Sequence, residues 1–107
     1  MWRRVLVRGP SMSPALSDGD VVLARFGRRP AAGDVVLVRW SERPRQLSVK
    51  RAVRPADGGW WVLGDFPEAS TDSRALGVAE VVAVVRWRLW PRPGGLRADP
   101  PDVRSCP

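Results

Sequence analysis

Short runs of aliphatic and β-branched residues recur along the chain, and apolar positions at helical spacing are almost absent. The runs predict strands at Trp2 to Val7, Asp20 to Arg25, Asp34 to Trp40, Gln46 to Val53, Trp60 to Leu63 and Val81 to Trp87. Turn chemistry separates them: Ser17-Asp18-Gly19, Arg29 to Gly33, Arg43-Pro44-Arg45 and Pro55 to Gly59. Asp57-Gly58 is the strongest hairpin signal. Gly-Asp-Val-Val-Leu occurs twice, at Gly19 to Leu23 and Gly33 to Leu37, as expected if two strands enter one core from similar turns. The pattern predicts one all-β domain of about six strands, closed or half closed, over residues 1–90. From Pro91 the composition turns to Pro, Gly and Arg, so residues 91–107 are expected to be a flexible tail that buries too little apolar surface to offset its ordering entropy.

Composition narrows the chemistry. The 107 residues include 18 Lys+Arg, 11 Asp+Glu and no histidine, for a formal charge of +7. No Ser-His-Asp or Cys-His pair can be assembled, and no imidazole zinc site. One cysteine, Cys106, excludes an internal disulfide and a Cys-rich metal cage. Lys50 is the single lysine; every other basic residue is arginine. An amine base must therefore be Lys50 or the N-terminal amine. The charge itself is ambiguous, because general use of arginine gives the same count as a polyanion-binding surface. No apolar run approaches a membrane span, and Trp2 to Arg8 has no secretory core, so a cytoplasmic protein is expected.

Three segments offer chemistry, and each has an ordinary reading beside it. Gly9-Pro10-Ser11-Met12-Ser13-Pro14-Ala15-Leu16 is either a plain turn or a rigid loop that holds a serine hydroxyl in one place. Lys50 lies within Leu47 to Val53, where strand alternation puts Ser48, Lys50 and Ala52 on one face. A strand lysine usually faces solvent; an inward one loses hydration, which lowers its pKa toward that of a general base. Gly64 to Gly77 carries Ser70-Thr71-Asp72-Ser73-Arg74, which is either a solvated loop or one propped by an Asp72–Arg74 ion pair.

Taken in order, Ser-Met-x-Pro-x-Leu, Val-Lys-Arg-Ala-Val and Gly-Asp-x-x-x-x-Ser-x-Asp-Ser-Arg-x-x-Gly resemble the signal peptidase I family of Ser-Lys proteases, over about Val7 to Val85. The resemblance implies an all-β catalytic domain needing no cofactor, with Ser11 as nucleophile and Lys50 as neutral general base. It further implies that Ser70 orients the Lys50 amine, that Asp72 and Arg74 hold the loop, and that Gly9 and Met12 contact substrate. The Ser11 backbone N–H is the implied oxyanion donor. The chain departs from the pattern at Gly9, where many relatives carry a hydroxyl, at Ala15, and at Phe66-Pro67.

The Trp60 to Arg74 stretch looks most like a small, anchor-free branch, the nickel-type superoxide dismutase maturation proteases. The implied partner is a precursor protein whose N-terminal leader is removed. A signal peptidase that processes secreted preproteins shares the dyad. Self-cleaving repressor domains share Ser-Met, paired Gly-Asp strands and Val-Lys-Arg. A non-enzymatic alternative is a basic β-barrel that binds single-stranded nucleic acid through its six tryptophans and its arginines. Trp60, Trp61 and Trp87 sit in apolar runs and are expected in the core, which weakens that alternative; no nucleic-acid partner is expected.

Overall fold

The computed structural model describes residues 1–9, 12–13, 15–66, 68 and 71–96. Seven strands and one short helix follow in the order β1 (Trp2–Leu6), β2 (Val21–Phe26), β3 (Val35–Trp40), β4 (Arg43–Ala56), β5 (Gly59–Leu63), α1 (Ser73–Leu76), β6 (Glu80–Trp90) and β7 (Gly94–Gly95). They form one antiparallel sheet in the order β1-β2-β6-β3-β4-β5, with β7 paired to β6. The all-β expectation holds.

β3 is the centre of the packing. Its continuous run Val35-Val36-Leu37-Val38 is buried on both faces, which explains an apolar run without polar alternation. Val35 and Leu37 join Val7, Met12, Leu16, Val22, Ala24, Val49, Ala83 and Val85 in a first core. Val36 and Val38 face the other way, into a second core with Trp40, Ala52, Val62, Ala79 and Val84. Burying both faces removes water from β4 as well, and Lys50 and Arg51 are drawn into the interior with it.

The repeated Gly-Asp-Val-Val-Leu segments build two matching turns. Asp20 Oδ2 accepts from the Ser17 N–H at 2.9 Å, and Asp34 Oδ2 accepts from the Ala31 N–H at 2.9 Å. Each aspartate N–H in turn donates to the carbonyl three residues back, Asp20 to Ser17 and Asp34 to Ala31. Gly19 and Gly33 take φ of 91° and 92°, a region that a side chain disfavours. Loss of the carboxylate strands a part-buried N–H. Asp34→Ala is therefore expected to cost about 1–2 kcal/mol in urea unfolding, with the slope unchanged.

Two boundaries and one burial differ from the sequence reading. Arg43-Pro44-Arg45, expected as a turn, begins β4, because the chain reverses earlier, at Ser41-Glu42, and Trp40 pairs with Arg43. The tail boundary at Pro91 also moves: Gly94 and Gly95 pair back onto Arg88 and Trp87, and Leu96 packs against the first core. Residues 97–107, with Cys106, lie outside the described residues. Trp87, expected in the core, is 51% exposed, whereas Trp40 is buried and donates from Nε1 to the Gly77 carbonyl at 2.9 Å. At the Asp57-Gly58 hairpin the prediction holds, with Ala56 paired to Gly59. Gly59 is fixed by close approach, since a Cβ there would run into the Ala79 carbonyl oxygen.

Candidate functional site

Every neighbouring pair along β1-β2-β6-β3-β4 is antiparallel, so β1 and β4 run in the same direction. Among the described residues, β1 pairs only with β2, which leaves its other edge open. Among the described residues, β5 pairs with β4 only from Arg51 onward, so Gln46 to Val49 also present an open edge. A groove of about 560 Å³ lies against both strands. Val5, Leu6, Arg8 and Gly9 line one side, Gln46 to Lys50 the other, with Leu37, Trp40, Arg43 and Thr71 completing it. Two open edges facing one gap can hydrogen-bond an extended peptide between them.

Beyond β1 the chain reaches Gly9 at the groove, and β4 carries Lys50. Lys50 lies opposite Val36 across the β3–β4 ladder, on the face that also holds Ala52. It is 4% exposed. Burial pushes its amine below the ordinary lysine value; the Asp72 carboxylate raises it in part, and the Arg74 guanidinium lowers it further. Burial strips hydration from the cationic amine, so the neutral, proton-accepting form is easier to reach here than in an exposed lysine.

The loop beyond β5 holds Asp72 rigidly beside that amine. Asp72 is the N-cap of α1 and is 1% exposed. Its Oδ2 accepts from the Gly64 N–H at 2.9 Å and from Arg74 Nη2 at 2.9 Å. Its Oδ1 accepts from the Arg74 backbone N–H at 3.2 Å and from Nε at 3.0 Å. Burial alone would raise the Asp72 pKa; hydrogen bonds from the Arg74 side chain and from the Gly64 and Arg74 amides, with the Arg74 charge, outweigh it and hold the carboxyl below its usual value. A depressed carboxyl stabilises the fold fully above its unfolded pKa, and that contribution is lost as pH falls through the folded value. The ion pair expected from the sequence is present.

The other expected site residues are placed as follows. Gly9 lines the groove, its N–H donating to Asp18 Oδ1 at 2.7 Å. Met12 is 1% exposed and packs in the first core, and its carbonyl accepts from the Leu16 N–H at 2.9 Å. Ser11 and Ser70 lie outside the described residues. Thr71, next to Ser70, reaches the groove that Lys50 lines.

Two functional contacts were missed by the sequence reading. Arg51 pairs with Asp65 at 2.5 Å through Nη2 and at 3.2 Å through Nε, and its Nη1 donates to the Gly33 carbonyl at 3.0 Å. This ties the strand position next to Lys50 to the start of the loop that carries Asp72. The Ser73 hydroxyl accepts from the Val62 N–H at 2.9 Å and fixes the end of that loop to β5. An arginine within the apolar strand Val49 to Val53 was the available signal, since a buried guanidinium requires a carboxylate.

The described residues contain no cluster of side chains suited to a metal ion, and none of their helices is long and apolar enough to cross a membrane. A family model described as Peptidase S24-like matches residues 4–75, more than half of the chain, from β1 through the Asp72 loop into α1. No curated protein matches the chain.

Proposed function

The chain belongs to the Peptidase S24-like family, a family of serine peptidases, and from that premise we propose that it is an endopeptidase with a Ser11–Lys50 dyad that removes an N-terminal leader from a precursor protein. The observation that carries this reading is Lys50 itself: the one lysine of the chain is buried beside a peptide-sized groove, with its pKa lowered.

In the proposed reaction the Lys50 amine takes the Ser11 hydroxyl proton as Oγ attacks the scissile carbonyl. The tetrahedral oxyanion is met by the Ser11 N–H. As the C–N bond breaks, Lys50 returns the proton to the leaving amine and an acyl-serine ester remains. Water, deprotonated by Lys50, attacks the ester; the C–Oγ bond breaks, Oγ recovers the proton, and the acid product leaves. Ser70 orients the amine, and Gly9, which lines the groove, sets the substrate beside Ser11; Met12, expected to contact substrate, is instead buried in the first core. Asp72 and Arg74 keep the loop in place. The lowered pKa of the amine makes proton abstraction easier than it would be for an exposed lysine.

The precursor of nickel-type superoxide dismutase is the proposed substrate, on the resemblance of Trp60 to Arg74. Co-expression with that precursor, followed by N-terminal mass analysis, is expected to show leader removal by the wild type and none by Ser11→Ala. An intact precursor alongside cleavage of other peptides removes this substrate and leaves the peptidase. The pH profile supplies a separate check. Activity rises with pH as Lys50 loses its proton, so the midpoint of kcat/KM is expected below the ordinary lysine value of 10.5. A midpoint at or above that value excludes Lys50 as the base.

A further inference from the structure

β4 does not run straight past the groove. Val38 of β3 pairs with Ser48 and Trp40 pairs with Arg43, so two steps along β3 are matched by five along β4. The three extra residues make a bulge, a device that re-aims side chains beside a binding site. Arg43, Gln46 and Leu47 from this bulged stretch all line the groove, and all three are exposed. Leu37 and Trp40 of β3 line it too, so the groove follows β3 from the level of Lys50 to the level of Arg43. Trp40 is 2% exposed and its Nε1 donates to the Gly77 carbonyl, which makes a fixed floor at the Arg43 end.

The charge along the groove has one sign. Arg8, Arg43 and Lys50 line it, and no carboxylate among the described residues does. The ion pairs among the described residues belong to Arg39, Arg51, Arg74 and Arg88, and neither Arg8 nor Arg43 takes part in one. Glu42 precedes Arg43 yet accepts from the Ser41 hydroxyl at 3.0 Å and stays outside the groove lining. Asp18 accepts from the Gly9 N–H at 2.7 Å, which brings a carboxylate to the Arg8 end. Arg43 is therefore the cation left to discriminate.

We infer, on the peptidase reading above, that Arg43 selects an acidic residue of the bound peptide about three to five residues from the scissile bond. Val36 and Trp40, which lie opposite Lys50 and Arg43, are four positions apart on β3, or about 13 Å at the usual strand rise. An extended peptide alongside covers that span in about four residues. There an Asp or Glu carboxylate meets the planar guanidinium in a bidentate pair, between the apolar surfaces of Trp40 and Leu47. A basic side chain at the same place would leave two cations facing one another as water is displaced.

A randomised synthetic peptide library cleaved by the full chain, with cleavage sites read by mass spectrometry, tests this. Asp and Glu are expected to be enriched about fivefold or more over Lys and Arg at one position three to five residues from the scissile bond. On single peptides that differ only at that position, Arg43→Glu is expected to invert the preference through KM and not kcat, and Arg43→Lys to keep it at reduced size. Added salt is expected to shrink the preference. The same library retained on the Ser11→Ala protein reads binding without cleavage. Acidic peptides enriched there, and no longer enriched when Arg43→Glu is added, support selection by Arg43 even where no peptide is cut, an outcome that removes the peptidase reading alone. Cleavage without acidic enrichment overturns the inference and leaves the peptidase. So does an enrichment that survives Arg43→Glu, or retention of peptides without regard to charge. Neither cleavage nor retention overturns both.

Discussion

Lys50→Met is expected to reduce kcat/KM for peptide cleavage by roughly 10³-fold or more while the protein stays folded. The physical basis is a division between charge and volume. Methionine fills nearly the same buried space, so the second-core face around Val36 and Ala52 keeps its packing. It cannot accept a proton, so Ser11 loses its base. Lys50→Arg keeps a cation but introduces a group that does not deprotonate, and it is expected to be equally inactive. Substantial cleavage by either variant would sink the dyad.

Stability supplies an independent readout of the same amine. Because the folded pKa lies below 10.5, the unfolded chain binds the extra proton between the two values. Wild-type stability is therefore expected to rise with pH across that window and to level off above the unfolded value. Lys50→Met is expected to flatten this rise in denaturant unfolding measured at several pH values. A slope that persists in the variant would assign it to another group.

Arg51→Ala is expected to be the most destabilising single change, at about 3–5 kcal/mol, because it leaves the Asp65 carboxylate without its cation in a largely buried setting. The side chains of that pair are only 6% and 11% exposed. For a domain of this size the loss corresponds to a fall in Tm of roughly 15–30 °C. The Gly33 carbonyl loses a donor in the same step. Replacing both partners with apolar residues, Arg51→Met with Asp65→Leu, is expected to recover much of the stability, since no uncompensated charge remains. It is not expected to recover full activity, because the loop bearing Asp72 would lose its tie to β4. Thermal melts and peptide cleavage on the single and double variants separate the two effects. A double variant as unstable as Arg51→Ala would show that the pair acts through packing instead of charge.

Much of this architecture is legible in residue order. β-branched runs, two Gly-Asp turns and Asp57-Gly58 identify strands because each depends on neighbours within a few positions. Lys50 stands out by count alone, and the Asp72–Arg74 pair is adjacent enough to be foreseen. The Arg51–Asp65 pair is different. Its partners are fourteen residues apart, and only the pairing of β4 with β5 brings them together. Trp87 lies outside its expected place for a similar reason: its own sequence neighbourhood does not say which sheet face is covered.

The sequence by itself determined an all-β chain without imidazole chemistry, a single candidate amine base, and the local turns that deliver each strand. Only the tertiary structure decided that the amine is buried and that two open strand edges face one groove. Local steric and turn preferences act over a few residues. Desolvation, by contrast, depends on what the far strands cover, and the Lys50 pKa follows from that burial.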